Sequence, residues 1–487
     1  MSQKNETAVL VLSLLITIGL AGAGIWWLTS RGSINLGGSS PPNQTIPKSP
    51  TGNAEQSEQA IGQRLSAGQK LLIPEQATTT KQAAVQAIAS GNYNAAISDL
   101  QASLKTNRND PEALIYLNNA RIGDQKAYTI AAAVPIGANI NAAVPMGGDI
   151  NAALEIMRGV AQAQNEINQS GGISGTPLKV VIANDDNNPE IAAQIANALA
   201  NNSEILGVIG HFGSDTTLAA SKIYQEKQLV AISPTSTSVQ LSGVGNNIFR
   251  TVPSDRFAAN AISRYMLGKL QKQKAAVFFN SASSYSKSLK DEFTTALYGD
   301  GGQIVGEFDF ANGNFNAAES VKIAIAQGAE VIMLASYSAT INQALQVVQV
   351  NGKRLPLLAG DGAYTAKTLQ IGGAGATDMV LAVPWHILAD PQSNFPQTSK
   401  QLWNAEVSWR TALAYDATIA LIAGLGRNPT RTGIQQALSA SDFSAKGASG
   451  PIRFLPSGDR NRAVQLVTVK PGNRTSYGYE FVPISGL

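Results

Sequence analysis

From Tyr128 onward the chain alternates short, almost continuously apolar runs with amphipathic stretches of helical spacing, and this alternation restricts the fold more than any other feature. The apolar runs fall at 130–135, 178–183, 206–210, 229–232, 275–279, 331–334, 355–359 and 379–383. Helical spacing fills the intervals, for example 152–168, 191–200, 216–225 and 257–272. Strands that lack an inside/outside alternation are buried on both faces, so the pattern predicts parallel sheets covered by helices on each side. The series restarts near 250–253, which gives two doubly wound α/β units in succession. Ligands of such sheets bind at the carboxyl ends of the strands, and two units can turn those ends toward a common cleft.

Composition agrees and removes several kinds of function. Of 487 residues, 44% are hydrophobic, 14% are charged and 45 are glycine, which suits a compact protein with many tight strand–helix turns. A net charge of +3 without a dense Lys/Arg cluster argues against nucleic acid as a partner. The absence of cysteine excludes disulfides, thiolate metal sites, cysteine nucleophiles and a lipoprotein anchor. His211 and His386 stand far apart with no metal-ligand spacing, and no GxSxG, Walker-type or GxGxxG motif is present. No enzyme activity, cofactor or metal is therefore expected.

The N-terminal quarter is organised differently. Residues 8–29 form an uncharged run ending in Trp26 and Trp27, long enough to span a bilayer as a helix. This reads as a membrane anchor, with a signal peptide cleaved near Ala21-Gly22-Ala23 as the alternative. Residues 30–77, rich in Gly, Ser, Pro, Gln and Asn, read as a flexible linker. Between 78 and 125 the spacing becomes helical. Gly91-Asn92-Tyr93 stands at a turn, and Asp110-Pro111 follows before a further helical stretch. This hairpin resembles a tetratricopeptide repeat, and a plain helical spacer is the alternative reading.

In the two-unit region, hydroxyls and free backbone amides collect after strands. Gly210-His211-Phe212-Gly213-Ser214-Asp215 opens a helix, whose first amides lack internal partners and suit a carboxylate. Ser233-Pro234-Thr235-Ser236-Thr237 ends the next strand. In the second unit, Ser336-Tyr337-Ser338 and Gly360-Asp361-Gly362 hold the same positions, and Asp361 has the charge to receive an ammonium group. Capping and turn chemistry is the competing explanation for the hydroxyls, and it is the preferred one for Asp185 and Asp186.

These features together resemble the periplasmic leucine/isoleucine/valine-binding proteins of ABC importers. The resemblance runs from Ile130 to about Val482. It is carried by Asn165-Glu166-Ile167-Asn168 leading to Gly171-Gly172-Ile173, by Val208-Ile209-Gly210-His211 and Ile232-Ser233-Pro234, and by Phe249-Arg250-Thr251. It continues at Gly360-Asp361-Gly362 and at Gly450-Pro451-Ile452-Arg453-Phe454 with Gly458-Asp459. The fold it implies is a class I periplasmic binding protein: two parallel-sheet lobes, 127–252 with 384–450 and 253–383 with 451–487, joined by three hinge strands. Ser214, Thr237 and main-chain groups near Thr235 would hold an α-carboxylate. Asp361 and Tyr337 would meet the ammonium, Tyr285 would face the cleft, and Phe212 and Trp385 would line the side-chain pocket. The implied function is reception of an amino acid, with a branched-chain or other apolar one as the first expectation, on the extracytoplasmic side of the plasma membrane for an ABC permease. A tethered sensor signalling through the hairpin to a protein partner is the alternative.

Overall fold

The computed structural model describes residues 59–137 and 149–484. All eight apolar runs form strands, divided between two sheets. The first contains β1 (Leu65–Ser66), β2 (Tyr128–Val134), β3 (Leu178–Asn184), β4 (Ile205–Ile209), β5 (Val230–Ser233) and β6 (Ile248–Arg250), in the order β1-β3-β2-β4-β5-β6. The second contains β7 (Lys274–Phe279), β8 (Gln303–Asp309), β9 (Val331–Leu334), β10 (Leu357–Ala359) and β11 (Val380–Val383). A small antiparallel pair, β12 (Ala445–Gly447) and β13 (Gly450–Ile452), comes next in the chain. Strands β14 (Gln465–Pro471) and β15 (Tyr479–Pro483) then complete the second sheet, ordered β15-β14-β11-β10-β9-β7-β8. The chain thus leaves the first sheet after β6, returns after β11 to the helices Trp409–Arg427 and Arg431–Ser439 on the first sheet, and crosses again before β14.

The near-continuous apolar character of the strands follows from burial on both faces. Along β2, Ile130, Ala132 and Val134 belong to the core that includes Ile156, Val160, Leu413 and Leu421. The alternate residues Ala131 and Ala133 face Ile195, Leu199, Ala220 and Tyr224. In the second sheet Ala276 and Phe278 point one way, and Ala275 and Val277 the other. The strands outside the eight runs include β6, which is buried but only three residues long, and others that differ from the buried parallel pattern. β8 is half exposed at an edge, while β14 and β15 join as antiparallel strands.

Of the expected 30–77 linker, residues 59–77 are structured, and the rest lies outside the described residues. Residues 59–62 form a short helix, Ile61 and Ile73 are buried, and β1 pairs antiparallel to β3 through Leu65↔Ala183 and Ser66↔Ile182. Ile73 packs with three helices, Thr79–Ala89, Tyr93–Thr106 and Pro111–Ile122, while Ile61 joins Ala183, Ile195 and Leu199 on the first sheet. Lys81, wholly buried, holds this group together. Its Nζ lies 2.7 Å from the Asp110 carboxylate and 2.8 Å from that of Glu112. The other Glu112 oxygen accepts from the Leu72 amide at 2.7 Å and from the Tyr116 hydroxyl at 3.0 Å, tying the incoming segment to the same knot.

Among the described residues no helix is long and apolar enough to cross a membrane. The run at 8–29 lies outside the described residues.

Helices Ile150–Gln169 and Trp409–Arg427 meet at backbone distance: a Cβ on Gly159 would lie 2.3 Å from the Thr411 carbonyl oxygen and 2.5 Å from the Tyr415 nitrogen. Gly159→Ala is expected to destabilise the protein by about 1–3 kcal/mol through overpacking. Denaturant unfolding measures this, and an unchanged midpoint would mean that the two helices do not approach so closely.

Candidate functional site

The carboxyl ends of strands from both sheets enclose a cleft cavity of about 280 Å³, near the lower end of the roughly 300–1,000 Å³ usual for ligand sites. The first lobe contributes Asn187 and Pro189 after β3, Phe212 to Asp215 after β4, Thr235 after β5, and Trp409 with Arg410 from the returning helix. The second contributes Ala282, Ser283 and Tyr285 after β7, Tyr337 to Ala339 after β9, and Asp361 with Gly362 after β10. A larger open hollow, about 700 Å³, between Arg64, Leu71 and Asn184 draws on the first lobe and its N-terminal segment alone and borders residues outside the described range.

Of the eight residues expected in the site, six line this cleft: Phe212, Ser214, Thr235, Tyr285, Tyr337 and Asp361. Two do not. Trp385 follows β11 straight into the core, where its ring meets Phe395 edge-on at 6.1 Å. Thr237 is buried behind the cleft beside the Asp255 carboxyl group. Asp185, Asp186 and His211 do structural work. Asp185 contacts His211 Nδ1 at 2.6 Å, the Tyr224 hydroxyl lies 3.0 Å from His211 Nε2, and Asp186 pairs with Arg64 at 2.5 Å.

Each lining group has a definite remaining capacity for hydrogen bonds. The helix Ser214–Glu226 starts at Gly213 without a side-chain cap. Its first amides are therefore open to an acceptor. The Ser214 hydroxyl accepts from the Ser238 amide at 3.3 Å and keeps its own proton to donate. Thr235 differs. Its hydroxyl donates to the Phe212 carbonyl at 2.8 Å, and its amide points to Ser233 Oγ at 3.4 Å. It is an acceptor toward the cleft, and its own amide and hydroxyl donors are already directed at Ser233 and Phe212.

Opposite lies Asp361, held between glycines for a steric reason. A Cβ on Gly362 would lie 2.2 Å from the Ser336 carbonyl oxygen, and one on Gly360 would lie 2.7 Å from the Tyr285 hydroxyl. Tyr285 Oη donates to Asp361 Oδ1 at 3.0 Å and accepts from the Gly362 amide at 3.1 Å. Burial raises the Asp361 carboxyl to about 6, while the Arg410 charge and the Tyr285 hydroxyl pull it down.

Arg410, Trp409, Asp215 and Asn187 were not foreseen. Nothing in Ser408-Trp409-Arg410 marks a cleft residue, because the helix that brings it there belongs to the return crossing, about 200 residues after the Ser214 loop. The Arg410 guanidinium lies over the Trp409 ring at 4.5 Å, and its Nη1 donates to Glu155 at 3.1 Å and to the Tyr364 carbonyl at 3.4 Å. Asp215 reaches across the cleft to the helix Ser284–Gly299, accepting from the Ser284 amide at 3.2 Å and from its hydroxyl. Asp149 and the Ser338 hydroxyl make a second such bridge.

Behind the cleft, burial pushes the Asp255 carboxyl up to about 7, with Ser288 and Thr237 hydroxyls favouring the ion, the Asp361 charge opposing it and Arg250 favouring it. Folded Asp255 and Asp361 therefore hold protons to a higher pH than the unfolded chain does. Their contribution to stability is full below the ordinary value of 3.8, declines as pH rises from there, and is lost once pH passes the folded values of about 6 and 7. Asp255→Asn is accordingly expected to raise the thermal midpoint at pH 8 relative to the parent and to give much the smaller change near pH 3.5, below the ordinary carboxyl value of 3.8. Scanning calorimetry at both values checks this, and an equal gain at both would deny the buried ionisation.

Comparison with known proteins supports this architecture. The family model described as periplasmic binding protein matches residues 138–474. An amino acid binding protein of Pseudomonas aeruginosa is 29% identical over 236 residues, 48% of this chain and 62% of that protein. The chain thus spans less than two thirds of that relative. The Leu/Ile/Val-binding protein of Escherichia coli is 26% identical over 314 residues, 62% of this chain and 82% of its own length. Among solved structures, a leucine binding protein of Thermotoga maritima superposes with a TM-score of 0.64 at 22% identity, covering 73% of this chain and 98% of that one. An ABC transporter substrate-binding protein of Desulfitobacterium hafniense gives 0.60 at 25% identity, covering 73% and 100%. With more than half of its length matched by the family model and the same two-lobed α/β fold, the chain belongs to the periplasmic binding protein family, whose members bind solutes rather than transform them.

Proposed function

We propose that the chain receives an amino acid in this cleft on the extracytoplasmic side of the membrane and presents it to an ABC permease. The observation that carries this reading is the polarity of the cleft. An uncapped helix end with the Ser214 hydroxyl faces it from one lobe, and the Asp361 carboxylate with the Tyr285 hydroxyl faces it from the other. A zwitterion placed between them satisfies both, its carboxylate at the helix end and its ammonium on Asp361 and the Thr235 hydroxyl oxygen. The names of the relatives, amino acid and Leu/Ile/Val-binding proteins, support the same class of solute. Closure then follows from binding, because the solute adds contacts to both lobes at once.

A second reading is favoured by one feature, the three helices at 79–122 that adjoin the first lobe. With an anchor at 8–29 and a tetratricopeptide-like hairpin at 78–125, the protein would act as a tethered sensor that passes the state of the solute domain to a protein partner. Loss of labelled amino-acid uptake on deleting the gene would favour import; intact uptake would favour sensing.

Calorimetric titration across the common amino acids is expected to give at least one with a micromolar or smaller dissociation constant. Asp361→Ala is expected to weaken that ligand by about 2–5 kcal/mol, since it leaves a desolvated ammonium unpaired. Because the Asp361 carboxyl is raised to about 6, affinity is expected to hold above that pH and to fall as the pH drops below it. No binding by any amino acid, or full affinity in Asp361→Ala, would reject the assignment.

A further inference from the structure

We infer that the solute carries a second carboxylate, received by Arg410, so that the preferred ligand is an acidic amino acid rather than an apolar one. This rests on the amino-acid reading above and concerns the part of the cleft that the reading leaves open.

The inference comes from counting which charges at the cleft still have unused capacity. Glu155 is taken up by Arg410. Asp215 is occupied by the amide and hydroxyl of Ser284. Asp149 caps its own helix through the Ala152 amide and accepts from the Ser338 hydroxyl. Asp361 uses one oxygen for Tyr285 and keeps the other. Arg410 is the one cation lining the cavity among the described residues. It is only 5% exposed, its Nε–H is buried without an acceptor, and its hydrogen bonds to Glu155 and Tyr364 both leave from Nη1. A guanidinium presents five donors in a flat fork, and a buried donor without an acceptor costs free energy until a ligand supplies one.

The unused capacity therefore comprises one cation receiver, Asp361, and two anion receivers, the Ser214 helix end and Arg410. A neutral amino acid with an apolar side chain fills the first two and leaves the guanidinium edge unmatched. An acidic amino acid fills all three. The aromatic surroundings of Arg410 agree with this use. The guanidinium lies 4.5 Å over the Trp409 ring and 6.0 Å from the centre of Phe212, a lining residue next to the helix end. The Trp409 ring covers one side of the guanidinium, and its N–H groups remain the directions for recognition.

The test is calorimetric titration of the full chain with L-glutamate, L-aspartate, L-glutamine and L-leucine. Glutamate or aspartate is expected to bind at least tenfold more tightly than leucine, with glutamine between them showing what the charge adds over the shape. In Arg410→Met the acidic ligand is expected to weaken by thirtyfold or more and leucine by less than threefold; Arg410→Lys is expected to fall between parent and Met variant. Leucine binding as tightly as the acidic ligands to the parent protein would overturn the inference and leave the amino-acid reading standing. An equal loss for all ligands in both variants would also overturn it, because Arg410 would then only support the lobe interface. If none of the four binds the parent protein, the acidic-solute inference fails whatever the variants do; if no other amino acid binds either, the amino-acid reading fails with it.

Discussion

Two buried arginines at the crossings between lobes hold the arrangement on which the cleft depends. Arg250, at the end of the last strand of the first sheet, donates through Nε to Asp459 at 2.5 Å and through Nη1 to the carbonyls of Ser236 and Ser238. Arg460 donates to Asp416 at 2.7 Å, to Ser449 Oγ and to the Pro451 carbonyl, and reaches the Thr251 carbonyl at 3.4 Å. Between them they join the outgoing strand, the returning helix and the final crossing. Buried ion pairs of this kind add little net stability over apolar residues of the same size, but losing one partner leaves an uncompensated charge. Their main effect is geometric, because they fix where each crossing starts. The strand ends of both sheets then meet at one cavity.

Once the strand ends face each other, the same local rule acts from both sides. A loop after a parallel strand enters a helix, and the helix start exposes amides. In the first lobe the start at Ser214 is left uncapped toward the cavity. In the second, the helix starting at Ser284 receives its anion from Asp215 of the opposite lobe. One helix end is thus free for a solute and the other forms part of the contact between lobes. Asp215 connects these roles, because it lies in the first turn of the uncapped helix and caps the other. A solute carboxylate at Ser214 would sit beside a group already committed to closure, so binding and the lobe contact share the same few residues.

How far the sequence could be read depended on the range of the interactions. Strands buried on both faces carry their own apolar signature, so all eight expected runs appear as strands, while the half-exposed β8 has no such signature. Asp361 was legible because two glycines flank it, and the structure shows why: a side chain at either would strike Ser336 or Tyr285. Arg410 was not legible, since its place in the cleft follows from the third dimension, through a helix that returns from the far side of the chain. Trp385 and Thr237 fail for the related reason that a residue just past a strand can turn inward as easily as into the cleft. Arg250, Thr251, Gly450, Pro451 and Asp459 entered the family resemblance as separate short matches among others, and the structure brings them together around the two arginines.

The N-terminal helices fit this picture as part of the first lobe rather than as a spacer beside it. An open edge on β3 would expose unpaired backbone groups, a standing hazard for a sheet. That edge is covered twice. β1 pairs with Ile182 and Ala183, and further along Asn119 acts as a substitute strand, its amide donating to the Val180 carbonyl at 2.7 Å and its oxygen accepting from the Val180 amide at 3.1 Å. Gln164, from the core helix of the lobe, donates to the same Asn119 oxygen at 2.9 Å, and Arg158 reaches Asn109 at 2.6 Å. Contacts this deep do not allow the helices to move independently of the sheet. The helices would therefore move with the first lobe as a whole, and a partner bound to them would have to touch the second lobe as well to read the angle between the two.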